Sequence, residues 1–174
     1  MKNGILIIAL LGLITVINAQ TNKKLPMENK TNQIEDRIAL KNLVDTFSIL
    51  ADIKDVKTQV LLFTENATVE SFRDGKSGGA LVGRKQIGEA FSNFLNLFDV
   101  VYHINGQQTL TLNEDKASGI SYCLVTLIGN ESDKKMKTTM GVIYHDDYVR
   151  ENGKWLIAKR QSNFTWTEKL PLAN

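Results

Sequence analysis

One aspartate and one histidine carry the strongest chemical signal in this sequence. His103 lies in the mostly apolar segment 99–105, DVVYHIN, and an imidazole in an apolar pocket can give or take a proton near neutral pH. Asp52 ends a helical pattern, where a carboxylate faces the unfavourable negative pole of the helix dipole. A functional role would explain that placement. Two plainer interpretations stay open, a hydrogen-bonded core histidine and a solvated loop aspartate.

An Asp–His pair in an apolar cavity suits proton abstraction next to a carbonyl group, or dehydration. The sequence contains no paired-histidine metal motif and no Gly-x-Ser-x-Gly elbow, and Gly78-Gly79 lacks the remainder of a phosphate-binding loop. We therefore expect no metal and no cofactor. The other histidine, His145, has charged neighbours that predict a solvated strand face. Cys123 is the only cysteine and lies in an apolar strand pattern, which predicts a buried, unreactive thiol.

Helical and strand patterns divide the chain into two halves. Apolar residues recur at helical spacing over residues 34–51, 56–63 and 84–98, and Asp55 is a suitable N-cap for the second helix. Strand patterns cover residues 67–72, 100–112, 117–128, 136–149 and 155–166, with a glycine-rich loop at 74–79. Asn152-Gly153 predicts a type I′ turn, and Asn105-Gly106 a bulge. This order predicts an α+β fold, a cone-shaped, curved antiparallel sheet (an α+β barrel) with three helices enclosing a pocket.

The first 19 residues have the layout of a cleaved signal peptide. Lys2 precedes an apolar run over residues 4–17, and Ala19 offers a small residue at the cleavage point. The run is shorter than the roughly 20 residues of a membrane-spanning helix, although an uncleaved anchor is the alternative. We therefore expect a secreted or periplasmic protein without membrane contact after cleavage. The polar composition of residues 20–32 predicts a flexible spacer. We expect one folded domain over residues 33–168 and a tail over residues 169–174.

The order of the motifs resembles one protein family. The helix ending in Asp52-Ile53-Lys54-Asp55 precedes residues 60–69, then the segment 83–87, His103 and residues 144–157. This order is similar to the SnoaL-like domain of the nuclear transport factor 2-like superfold, in the branch that includes scytalone dehydratase. The resemblance implies a cone with three helices, often a homodimer packed through the sheet. In that branch an aspartate ending the first helix and a strand histidine support catalysis, and Asp52 and His103 occupy those places.

Two positions depart from what the resemblance implies. A tyrosine expected on the first strand is replaced by Ser71, and a second pocket histidine is replaced by Leu127. A polar pocket position on the next strand falls on Tyr144. Half of the dehydratase machinery is therefore absent, which argues against scytalone dehydratase activity itself.

The leading hypothesis is a cofactor-independent lyase, isomerase or cyclase acting on a small, mostly apolar hydroxy or carbonyl compound. Asp52 and His103 would be its acid–base pair. The predicted substrate-binding residues are Ser71, Tyr144, Val101, Val125, Leu127 and Trp155. The alternatives are a non-catalytic small-molecule-binding domain and an interaction domain that docks a partner on its sheet. Nucleic acid is not an expected partner, because the net charge is only +2 and no basic stripe is present.

Overall fold

The computed structural model describes residues 27–172, with side chains from residue 31 onward. The predicted signal peptide lies outside the described residues. The elements in chain order are α1 (Met27–Asp52), α2 (Val56–Gln59), a 3₁₀ turn (Val60–Leu62), β1 (Phe63–Arg73), β2 (Lys76–Val82), α3 (Gly83–Leu95), β3 (Val100–Asn113), β4 (Lys116–Glu131), β5 (Lys134–Glu151) and β6 (Lys154–Pro171). None of the helices in this part of the chain has both the length and the apolar character needed to cross a membrane.

The six strands form one curved, unclosed sheet in the order β2-β1-β6-β5-β4-β3. Neighbouring strands are antiparallel except β1 and β6, which run parallel. The three helices cover one face of this sheet, as the contacts of α1 with β3 and of α3 with β1 show. The predicted α+β cone is therefore confirmed, and the parallel β1–β6 pair is the one exception to the antiparallel pattern.

Local sequence signals placed several turns correctly. Asp55 caps α2 by accepting a hydrogen bond from the backbone N–H of Thr58 at 3.0 Å. Asn152 and Gly153 both have positive φ angles, 50° and 76°, as a type I′ turn requires. The pairing of β3 with β4 shifts register between Asn105 and Gln108, which confirms the predicted bulge.

Several boundaries differ from the sequence prediction. The predicted tail at 169–174 begins inside β6, which continues to Pro171. Helix α1 begins at Met27, so residues 27–32 of the predicted spacer are helical. The predicted loop at 74–79 is a tight turn followed by β2. Glycines make this stretch a poor strand by propensity, yet β2 is an edge strand paired to β1 alone, where little packing is required of its side chains.

The inner face of the sheet packs into two buried clusters. Alternate residues of β4 point inward, as the strand period of two requires, and among them Cys123, Val125 and Leu127 are buried. They belong to a cluster with Leu95 of α3 and Val142 of β5, next to the open volume described below. The other cluster lies around Phe63, Leu40 and Ile157. The buried thiol predicted for Cys123 is confirmed.

Candidate active site

The structure brings Asp52 and His103 into direct contact. The Oδ1 atom of Asp52 lies 2.6 Å from Nδ1 of His103, and the backbone N–H of His103 donates to Oδ2 of the same carboxylate at 3.3 Å. The His103 side chain is 8% exposed and that of Asp52 is 23% exposed. Because a carboxylate can only accept, the neutral ring carries its hydrogen on Nδ1. Nε2 is then the basic nitrogen, as in other carboxylate–histidine pairs.

Asn105 fixes the distance between the elements that carry the pair. Asp52 is the last residue of α1, and His103 lies on β3. Two residues beyond His103, Asn105 donates to the backbone carbonyl of Val44 at 3.2 Å and accepts from Ser48 at 3.1 Å, both on α1. The sequence predicted a bend at Asn105 and not this anchoring role, which depends on a contact across 57 to 61 residues.

A cavity of about 270 Å³ lies between the inner face of the sheet, α1 and α3. His103 lines it, and Asp52 lies behind His103 without lining it. The exposed Arg73, whose guanidinium group stacks on Phe164 at 4.1 Å, marks the side where the cavity meets solvent. The lining is mostly apolar, so the cavity suits a small ligand of mixed character.

Four of the six predicted substrate-binding residues line this cavity, namely Ser71, Tyr144, Val125 and Leu127. The prediction is wrong for Val101 and Trp155, neither of which is among the lining residues. Val101 does point inward but is buried in the cluster that contains Leu95. Trp155 belongs to the other cluster, and its indole N–H donates to Asp36 of α1 at 3.0 Å. His145 is exposed on the outer face, as predicted.

An ion pair between Arg160 and Asp146 is buried in the same wall. Arg160 is 1% exposed and the Asp146 side chain 0%. Two parallel hydrogen bonds join them, at 2.8 Å from Nε and 2.6 Å from Nη2, and the Tyr148 hydroxyl donates to Asp146 at 2.9 Å. The guanidinium group also lies over the rings of Phe47 and Tyr144, 4.2 and 4.3 Å from their centroids. Arg160 lines the cavity, and its Nη1 atom has no hydrogen-bond partner among the described residues.

A register shift on β6 explains why the sequence did not predict Arg160. Alternation from the buried Trp155 and Ile157 places Lys159 inside and Arg160 outside. In the structure Tyr148 pairs with Ile157 but Asp147 pairs with Lys159, so Ala158 forms a bulge. One extra residue reverses the inward and outward positions that follow it. The sequence did indicate that Asp146 is buried, because Asp146 has the same strand parity as the apolar core residues of β5. A buried carboxylate requires a cation nearby.

Burial sets the protonation of the site. Burial lowers the pKa of His103 below its ordinary value, Arg160 acts in the same direction, and the hydrogen bond to Asp52 opposes both. His103 is therefore neutral at pH 7 and can accept a proton. Burial also raises the pKa of the Tyr144 hydroxyl and raises that of the Cys123 thiol to about 11. Both of these groups stay protonated, so neither is a nucleophile near neutral pH.

Among residues 31–172 no group of three or more His, Cys, Asp or Glu side chains is placed to hold a metal ion. Two of the groups described above can act on a ligand in the cavity, the neutral imidazole with its carboxylate and the guanidinium N–H without a partner.

Comparison with known proteins assigns the family. The sequence model of the SnoaL-like domain matches residues 32–161, and the chain therefore belongs to the SnoaL-like domain family, as its motif order predicted. No curated protein sequence matches the chain significantly.

Solved structures of similar fold include a candidate dehydratase and several dehydrochlorinases. A candidate scytalone dehydratase from Novosphingobium aromaticivorans superposes with a TM-score of 0.71 at 20% identity, covering 83% of this chain and 93% of that one. A type 2 hexachlorocyclohexane dehydrochlorinase (LinA) gives 0.69 at 19% identity, with 83% and 94% covered. The type 3 LinA from Novosphingobium barchaimii gives 0.67 at 20%, with 83% and 95% covered. At these identities the likeness establishes the shared fold alone.

Proposed function

We propose that this protein is a cofactor-independent lyase or isomerase that removes a proton from a carbon next to a carbonyl group. The observation that carries the proposal is the neutral His103 ring, held by Asp52 at 2.6 Å and exposed to a mostly apolar cavity. Structural neighbours named as a dehydratase and a dehydrochlorinase support the lyase class, because dehydration and dehydrochlorination are both eliminations.

In the proposed reaction Nε2 of His103 takes the proton from carbon, and the electron pair of the broken C–H bond moves toward the carbonyl carbon to give an enolate. Asp52 stabilises the imidazolium that forms. Arg160 Nη1, the donor without a partner, would hydrogen-bond to the developing oxyanion. In a lyase the pair then forms a C=C bond while a hydroxyl group leaves, taking the proton from His103 as water. In an isomerase the same proton returns to a different carbon.

Variants of the pair test this proposal. A screen of small cyclic and linear hydroxy-ketones by mass spectrometry identifies a converted compound, on which Asp52→Asn and His103→Asn are compared with the wild type. We expect kcat to fall at least about 100-fold in His103→Asn, the usual contribution of a general base. His145→Asn, which removes the exposed histidine of the outer face, is the matched control and should keep the wild-type kcat. Wild-type kcat in both pair variants would refute the proposed roles.

The alternative is a non-catalytic binding domain, and one observation favours it. Leu127 lines the cavity where the resemblance implies a second histidine, so the described lining contains His103 as its one imidazole. Native mass spectrometry of protein purified from its own host would detect a retained ligand. Recovery of one unchanged compound, with no conversion of any compound in the screen, would support this function over the first.

We also propose that the protein is exported to the periplasm or the medium, because of the composition of residues 1–19. Expression of the full chain in its host followed by N-terminal sequencing should give a mature protein that starts at Gln20. Recovery of an intact Met1 in the cytosolic fraction would refute export.

A further inference from the structure

Gln59 presents a second polar atom without a partner at the cavity. The residue is 1% exposed, lies on α2 and lines the cavity. Its Nε2 atom donates to the backbone carbonyl of Phe47 at 3.0 Å. Since a backbone carbonyl can only accept, this bond fixes which end of the amide is nitrogen. The other end, Oε1, is therefore a hydrogen-bond acceptor, and it has no partner among the described residues.

Gln59 and Arg160 both contact Phe47. Gln59 binds the backbone of Phe47, while the guanidinium group of Arg160 stacks on the Phe47 ring at 4.2 Å. One wall of the cavity thus carries a buried acceptor and a buried donor, each without a partner. A buried polar atom left unpaired lowers the stability of the protein, because it has lost its hydrogen bonds to water. A ligand that supplies both partners would restore that stability on binding.

We propose that Gln59 Oε1 determines specificity by accepting a hydrogen bond from a hydroxyl group of the ligand, while Arg160 Nη1 donates to a carbonyl oxygen beside it. The ligand would be an uncharged hydroxy-ketone. This inference rests on the proposed function in so far as it concerns the same cavity and the same carbonyl group. It adds the requirement for a hydroxyl donor, which proton abstraction by His103 does not demand.

The charges of the wall favour an uncharged ligand. The positive charge of Arg160 is already balanced by Asp146 through two hydrogen bonds, and Gln59 carries no charge. The carboxylate of Asp52 lies directly behind His103. An anionic ligand would therefore meet no unbalanced positive charge at this wall and would be repelled by Asp52. Arg73, the other cation of the lining, lies at the mouth of the cavity, where solvent screens its charge.

A matched pair of ligands tests the inference. 2-Hydroxycyclohexanone and cyclohexanone differ only by the hydroxyl group, and their Kd values are measured by NMR titration of the wild type, Gln59→Met and Thr58→Met. Methionine keeps the length of glutamine but removes the acceptor, and Thr58 is an exposed neighbour on α2 that serves as the control. We expect the wild type and Thr58→Met to bind the hydroxy-ketone at least about tenfold more tightly, a typical gain for one well-placed hydrogen bond. Gln59→Met should bind the two ligands equally.

A second measurement needs no variant. The ¹³C shift of the Gln59 side-chain carbonyl in the wild type should move on addition of the hydroxy-ketone and stay unchanged with cyclohexanone. Equal affinities in the wild type, a ratio unchanged in Gln59→Met, or no binding of either ligand would overturn the inference. A ligand-free crystal structure in which Oε1 accepts directly from Arg160 would also overturn it, because the two atoms would then satisfy each other.

The two proposals fail separately. If the ratio of the two Kd values depends on Gln59 but turnover does not depend on His103, the specificity role stands and the catalytic role is refuted. If turnover depends on His103 but the wild type binds both ligands equally, the catalytic role stands and the specificity role is refuted.

Discussion

Removal of Arg160 is expected to cost this protein a large part of its stability. In Arg160→Met the carboxylate of Asp146 would stay fully buried and lose two hydrogen bonds of 2.8 and 2.6 Å, keeping only the Tyr148 hydroxyl as a donor. Breaking a buried pair in this way costs about 3–5 kcal/mol. The stacking on Phe47 and Tyr144 is lost as well. Since domains of this size unfold with about 5–15 kcal/mol, the variant should remain folded only marginally.

The assay is urea unfolding of purified protein followed by circular dichroism. Lys41→Met is the control, because Lys41 forms an exposed pair with Asp45, side chains 38% and 37% exposed, and such a pair contributes only about 0.5 kcal/mol. In Arg160→Met/Asp146→Asn the buried charge is gone, so the double variant should be more stable than the sum of the two single changes predicts, by about 2 kcal/mol. A loss below about 1 kcal/mol in Arg160→Met, or strict additivity, would refute the role assigned to the pair.

Three further predictions follow from which side chains are buried and which are exposed. The folded pKa of His103 lies below its ordinary 6.5, so the folded state binds fewer protons than the unfolded state and stability falls as pH drops from about 6.5 toward the lowered value. In His103→Asn the urea midpoint should depend less on pH than in the wild type between about pH 5 and pH 8. The same pH dependence in both proteins would contradict this. Iodoacetamide near pH 8 should leave Cys123 unmodified in native protein and label it fully in urea, because its pKa is about 11. The predicted homodimer should use the outer face of the sheet, and Tyr122→Lys should halve the mass seen by analytical ultracentrifugation, whereas a monomeric wild type would exclude it. That face exposes Val100, Tyr102, Ile104, Ile120, Tyr122, Leu124 and Trp166.

Much of the fold could be predicted from local sequence patterns. Helical spacing, the Asp55 cap and the Asn152-Gly153 turn each depend on residues close in sequence, and the structure confirms all three. The placement of Asp52 at the end of α1 and of His103 on β3 was readable for the same reason. Their juxtaposition followed from the resemblance to SnoaL-like domains, since no local pattern reports a contact across 51 residues.

Other parts of the site could not be read in this way. Arg160 turns inward because of a single bulge at Ala158, and the period-two pattern of the sequence gives no sign of where such a bulge falls. Gln59 looks like an ordinary surface residue of a short helix, and only the packing of α2 on α1 buries it. Trp155 is not a wall residue, because its indole N–H donates to Asp36 of α1, a contact across 119 residues that strand parity does not predict.

The sequence by itself determined the element order, the α+β class, the two residues of the proposed acid–base pair and the unreactive character of Cys123. These depend on periodicity, turn chemistry and residue type, which act over a few residues. Only the tertiary structure decided the 2.6 Å contact of the pair, the neutral state of His103 and the inward position of Arg160. The physical reason is that burial and register are set by strands that pair far along the chain, and a polar atom acquires a partner, or is left without one, only when those strands meet.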